Sequence, residues 1–233
     1  MRKIIIGNWK MNPASQQEAM ELFETVKKGL QDVKNAKVVI CPPFVYLAEL
    51  KGMTLGAQNT TDEFSPKILK NMGVEYVILG HSDVRKNAAE TNEIINKKMK
   101  ECLQENLVPV LCIGEQEGKN KLEVLEWQIG GAFAGISKEN IERVIIAYEP
   151  VWAIGTGNNC TIEETQASVI LIKKIVTGLY DENVAGTAKI LYGGSVDSKN
   201  SADYLKNGEV DGLLVGGASL DAQEFVAIVS SVL

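Results

Sequence analysis

Residues 144–157 read VIIAYEPVWAIGTG. Val144 to Tyr148 form a short apolar run, and Glu149-Pro150 interrupts it. A run of this length without polar alternation suits a strand covered on both faces, as in a parallel sheet. Proline has no N–H for a sheet ladder, so a strand here stops with a carboxylate at its carboxyl end.

The same pattern recurs along the chain. Lys3–Ile6, Lys37–Cys41, Thr54–Ala57, Tyr76–Leu79, Val108–Ile113, Lys189–Tyr192 and Gly212–Val215 are further short runs. Amphipathic stretches lie between them, at Gln16–Leu30, Thr91–Asn106, Leu122–Ala134, Glu163–Leu179 and Ser198–Lys206. Thr161-Ile-Glu-Glu matches a capping box, in which Thr161 satisfies an orphan amide and Glu164 reaches back. Eight strand–helix units without a linker or composition shift predict a single α/β domain over residues 1–233, a closed (β/α)8 TIM barrel of parallel strands with outer helices. A doubly wound open sheet is the alternative, because periodicity cannot see closure. No GxGxxG follows the first run, which weakens a dinucleotide-binding reading.

Composition narrows the function classes. The 233 residues are 45% hydrophobic and carry a net charge of −6, which argues against nucleic acid or an anionic membrane as partner. Cys41, Cys102, Cys112 and Cys160 are far apart, and His81 is the one histidine, so neither a metal site nor another cofactor is predicted. The opening MRKIII is too short for a signal peptide, and no run reaches the roughly 18 apolar residues of a membrane span. The reading is a cytoplasmic protein with reduced thiols.

In a parallel barrel the active site forms at the carboxyl ends of the strands. There the sequence places Asn8 and Lys10, then His81-Ser82-Asp83, then Glu149, Gly193-Gly194-Ser195 and Gly216-Gly217. Each has an ordinary explanation: a solvated lysine, a structural histidine, a strand-ending glutamate, glycines for turns. Their convergence on one rim supports something more specific. A carboxylate can remove a proton α to a carbonyl, an imidazole can polarise that carbonyl, and an ammonium can stabilise an enediolate. Glycine-rich loops after the last two strands expose N–H groups that suit a phosphate.

GNWKMN, GAQN, GHS, CIGE, AYEPVWAIGTG, YGGSV and DGLLVGGASL occur in an order and spacing that resemble the triosephosphate isomerase family, from Gly7 almost to the C-terminus. The resemblance implies interconversion of dihydroxyacetone phosphate and D-glyceraldehyde 3-phosphate through an enediolate. It casts Glu149 as base, His81 as electrophile, and Lys10 with Asn8 as substrate contacts. Gly155, Ser195, Gly216 and Gly217 would hold the phosphate, Pro150-Val151-Trp152 would be the hinge of a lid, and Asp83 would stand behind the catalytic groups.

The chain also departs from that family. Only Thr60-Thr61-Asp62-Glu63-Phe64 separates Asn59 from Ser65, about eight residues fewer than the family's third loop, which docks into a neighbouring subunit. Val84 stands where an arginine usually meets that loop, Asp83 replaces a glutamate, and the link 114–120 is also short. Losing both members of an interface pair together is coherent, since one left alone is costly. These departures predict a monomer or weak dimer with depressed turnover. The alternatives are a barrel that binds phosphorylated small molecules with little turnover, and a scaffold retaining the motifs.

Overall fold

The computed structural model describes residues 2–154 and 159–232. Its strands are β1 (Lys3–Asn8), β2 (Ala36–Cys41), β3 (Thr54–Ala57), β4 (Val74–Leu79), β5 (Val108–Ile113), β6 (Ile145–Tyr148), β7 (Lys189–Tyr192) and β8 (Gly212–Val215). Neighbours in sequence are neighbours in space, all pairs are parallel, and β1 pairs with both β2 and β8. The barrel is closed, which settles the choice against an open sheet.

Around it lie α1 (Gln16–Gly29), α2 (Pro66–Asn71), α3 (Ser82–Asn87), α4 (Asn92–Gln104), α5 (Lys121–Phe133), α6 (Lys138–Ile141), α7 (Ile162–Leu179), α8 (Glu182–Thr187), α9 (Ser201–Asn207) and α10 (Ala222–Ser230). Short 3-10 turns cover Phe44–Tyr46, Val151–Ala153 and Gly217–Leu220. Among the described residues no helix is long and apolar enough to cross a membrane.

The continuous apolar runs make physical sense because both faces of each strand are covered. Successive side chains on a strand point to opposite sides. Ile4 and Ile6 therefore enter the barrel interior with Val39, Ile78, Val110 and Leu191. Ile5 points outward and joins Phe23, Val26 and Phe225 under the helices. Fully burying each such side chain contributes roughly 1.5–3 kcal/mol. The same alternation sets up the site: Asn8 continues the inward series of Ile4 and Ile6, and Glu149 that of Ile145 and Ala147.

The helix boundaries show where local chemistry outweighs periodicity. Thr161 accepts the Glu164 amide at 3.1 Å, as a capping box requires. The Glu164 carboxylate, however, accepts from the Cys160 thiol at 3.6 Å, so the reciprocal half of the box is replaced. Replacing Thr161 with alanine is expected to cost about 1 kcal/mol and lower Tm by about 2–4 °C in a thermal melt. The helix anticipated from Ser198 starts three residues later, at Ser201. Asp197 Oδ1 accepts the amides of Lys199 and Asn200 and holds the segment as a turn. Helix α10, which periodicity did not single out, is capped by Asp221 through the Glu224 amide at 3.0 Å.

Candidate active site

Asn8, Lys10, His81, Glu149, Ser195 and the pair Gly216-Gly217 line one cavity of about 320 Å³ at the carboxyl end of the barrel. Five separate stretches of chain thus meet at one point, as their strand-end positions anticipated. Gly193, Gly194, Val196, Asp197, Ile154 and Asn159 also contribute to the lining. Gly155 lies outside the described residues.

Glu149 follows β6 and its side chain is 5% exposed. Its amide donates to Ile113 O at 2.7 Å, tying the segment to β5. A Cβ on Gly114 would lie 1.8 Å from Glu149 O, so only glycine permits this approach. One carboxylate oxygen, Oε1, is 3.3 Å from His81 Nε2. The other, Oε2, is buried and has no hydrogen-bond partner among the described residues. A buried unpartnered acceptor costs free energy, and substrate with an acidic C–H would give it something to do.

His81 leaves the barrel through a turn in which Gly80 adopts φ +69°, a conformation other residues rarely take. Its Nδ1 accepts the Asp83 amide at 3.2 Å as N-cap of α3. That bond assigns the proton to Nε2, where it faces Glu149. The Asp83 carboxylate is also 3.6 Å from Nδ1, too far for a hydrogen bond. Arg85 anchors this loop from below. It donates to Gly80 O at 2.7 Å, Asn92 Oδ1 at 2.8 Å and Cys112 O at 3.2 Å.

Lys10 sits in a left-handed conformation, φ 52°, two residues past β1. Its amide donates to Asn8 Oδ1 at 3.1 Å, and its carbonyl accepts from Gln58 Nε2 at 2.7 Å. Gln58 reaches Cys41 O as well, at 3.0 Å. The Lys10 ammonium pairs with Asp83 Oδ2 at 3.0 Å. Burial raises the Asp83 pKa, but the hydrogen bond from Lys10 and the charges of His81, Lys10 and Lys86 outweigh it and leave the carboxyl below its ordinary range.

Ser195 Oγ donates to Ala153 O at 2.7 Å, and Gly216 O accepts the Ser219 amide at 2.8 Å, shaping the glycine-rich side of the cavity. Pro150 precedes the 3-10 turn Val151–Ala153. Val151 N donates to Glu115 O at 2.9 Å and Trp152 Nε1 to Glu115 Oε1 at 3.2 Å. Gln58 and Glu115 lie within GAQN and CIGE, but no role for either could be read from the sequence. Their signal was a polar residue one or two positions past a strand end.

The connection after β3 folds back on its own barrel. Asn59 donates to Glu90 Oε1 at 3.0 Å and accepts from Lys98 at 3.0 Å, while Lys98 also pairs with Glu90. Phe64 stacks on Phe44 with ring centroids 4.3 Å apart. All four cysteines are free and buried. Burial pushes the Cys102 and Cys160 thiols up to about 12 and about 11, keeping them protonated near neutral pH.

A family model described as triosephosphate isomerase matches residues 3–232. A protein of Alkaliphilus oremlandii named triosephosphate isomerase is 41% identical over 249 aligned residues, covering 99% of this chain and 100% of that protein. Proteins of the same name from a Clostridium botulinum Type F strain and from Dictyoglomus turgidum are 43% and 41% identical, over 97% and 99% of this chain and 98% and 99% of their own lengths. The match to the Alkaliphilus protein spans 249 positions against 233 residues here, so that relative carries segments this chain lacks.

Proposed function

We infer the chemistry of this site from one premise: the chain belongs to the triosephosphate isomerase family. It is an isomerase, and its reaction is the interconversion of dihydroxyacetone phosphate and D-glyceraldehyde 3-phosphate. In our reading Glu149 removes the proton from the carbon next to the carbonyl. His81 donates from Nε2 to the carbonyl oxygen and moves protons between the two oxygens of the enediolate. Lys10 stabilises the developing negative charge. A glutamate base facing a neutral histidine is the long-standing worked case for this family rather than a new deduction. The phosphate is held by Ser195, Gly216, Gly217 and Gly155, with Asn8 against the triose, and Pro150-Val151-Trp152 acts as the hinge of a lid.

The observation that carries this reading is the pairing of two nearly buried groups, His81 and Glu149, at 3.3 Å on the wall of the cavity that Lys10 and the glycine pairs complete. A coupled isomerase assay tests turnover. Titration with a phosphorylated enediolate mimic tests binding. Binding without turnover would favour the second reading, a barrel that takes phosphorylated small molecules without converting them.

We further propose that residues 1–233 work as one barrel domain in the cytoplasm, as a monomer or weak dimer. The short connection after β3 supports this, since Asn59 and Phe64 are spent on contacts within the chain. Met11 and Val45 are 85% and 74% exposed and are what a weak dimer would cover. Sedimentation is expected to give a single barrel mass, 25.4 kDa, at submicromolar concentration. A tight dimer there would overturn the proposal.

Turnover should then be depressed. No partner steadies the loops bearing Lys10 and His81, and Asp83 is one methylene shorter than the family's glutamate. A misplacement near 1 Å costs about a hundredfold. The kcat is expected to fall on the order of a hundredfold below that of a dimeric relative assayed alongside. Equal rates would sink this expectation.

A further inference from the structure

We propose that Lys121 is a positioning residue for the isomerase reaction: it neutralises the buried Glu115 carboxylate, which holds both flanks of the segment bearing Glu149. This rests on the reading of Glu149 as the base.

Glu115 lies just past β5, and its side chain is 5% exposed. Tyr148 Oη lies 3.1 Å from its Oε1 and 3.2 Å from its Oε2, so the hydroxyl bonds across both oxygens. Trp152 Nε1 donates to Oε1 at 3.2 Å. Tyr148 and Trp152 are the residues on either side of Glu149-Pro150-Val151, so one carboxylate spans the stretch that carries the base. The backbone adds two further ties, Glu149 N to Ile113 O and Val151 N to Glu115 O.

The carboxylate accepts from both flanking side chains, and a buried charge left without a partner is costly. Among the described residues, Lys121 is the one cation that forms an ion pair with it, at 3.7 Å from Oε1. Lys121 is itself held in place. Its ammonium donates to Ser168 Oγ at 3.0 Å and lies 5.5 Å from the Tyr148 ring centroid. Burial, with the Glu115 charge adding to it, raises the Tyr148 pKa and keeps its phenol protonated as a donor.

Helix stability does not explain the lysine. It is the first residue of α5, where a positive charge opposes the helix dipole. Its three contacts are with Glu115, the Tyr148 ring and Ser168 of α7.

The test is steady-state kinetics of Lys121→Met, Lys121→Arg, Glu115→Gln and the double variant Glu115→Gln/Lys121→Met, with a thermal melt of each. Lys121→Met is expected to lower kcat about tenfold with KM changed less than about twofold, because the base is displaced while the phosphate grip is not. Lys121→Arg should restore kcat to within about threefold of the parent. The double variant should lose no more than the worse single one, since both act through the same tie. Should Lys121→Met not fold, Lys121→Gln takes its place with the same expectations.

Unchanged kcat in the folded variant, additive losses in the double variant, or failure of arginine to rescue would each overturn the proposal. A Glu149→Ala control separates the two readings. If that variant stays active, the assignment of the base is wrong. If it is inactive while Lys121→Met turns over normally, only the role of Lys121 falls.

Discussion

Glu149→Ala is expected to lower kcat on the order of a thousandfold while the barrel still folds. General bases contribute about 10²- to 10⁴-fold, and as the proposed base Glu149 has no uncommitted substitute among the described residues of the cavity wall. The nearest candidates are committed elsewhere. Asp83 is paired with Lys10, and Glu115 is occupied by Tyr148, Trp152 and Lys121. Asp197 lines the cavity but is engaged by the turn before α9.

Stability should not suffer, because the substitution removes a buried carboxylate with one unpartnered oxygen. A coupled assay with a thermal melt checks both statements together. A loss smaller than about tenfold in a folded protein would show that the proton is removed by another group. Glu149→Gln should behave like the alanine variant, since it keeps the shape and loses the basicity.

Lys10→Met is expected to reduce kcat/KM by about 10²- to 10³-fold, with a rise in KM as well as a fall in kcat. The ammonium is the cation that lines the cavity among the described residues, which is why the proposed mechanism has it meet both the substrate's charge and the enediolate. It rests on Asp83, whose side chain is 53% exposed. That exposure makes the pair weak, so substrate can draw the ammonium away at little cost. For the same reason the methionine variant should melt close to the parent. A fall in Tm with unaltered kinetics would recast Lys10 as a structural charge.

Much of the fold was legible because its signals are local. The run from Val144 to Tyr148 and its counterparts reported burial on both faces, and six of the eight strands lie within a residue of the expected bounds at each end. β1 and β4 run two residues longer, at the carboxyl end of one and the amino end of the other. Helix ends proved harder where a side chain competes with the helix for its amides, as Asp197 does before α9. The site was legible for a different reason. Asn8 and Glu149 stand at the carboxyl ends of apolar runs, so they could be placed on the barrel rim before any contact was known. The groups that hold them could not be found in this way. Gln58 supports Lys10 from 48 positions away, and Lys121 reaches Glu115 from the next helix.

By itself the sequence determined which apolar runs become parallel strands, which polar groups end those strands, and that these carry the motifs of one isomerase family. Those properties follow from steric preference and side-chain periodicity, which act over a few residues. Only the tertiary structure decided that the sheet closes on itself. It also decided that His81 and Glu149 stand at hydrogen-bonding distance, that Lys10 rests on Asp83, and that Glu115 grips both flanks of Glu149. Each of these depends on chain segments far apart in sequence being brought within a few ångströms, and packing around a common core is what brings them there.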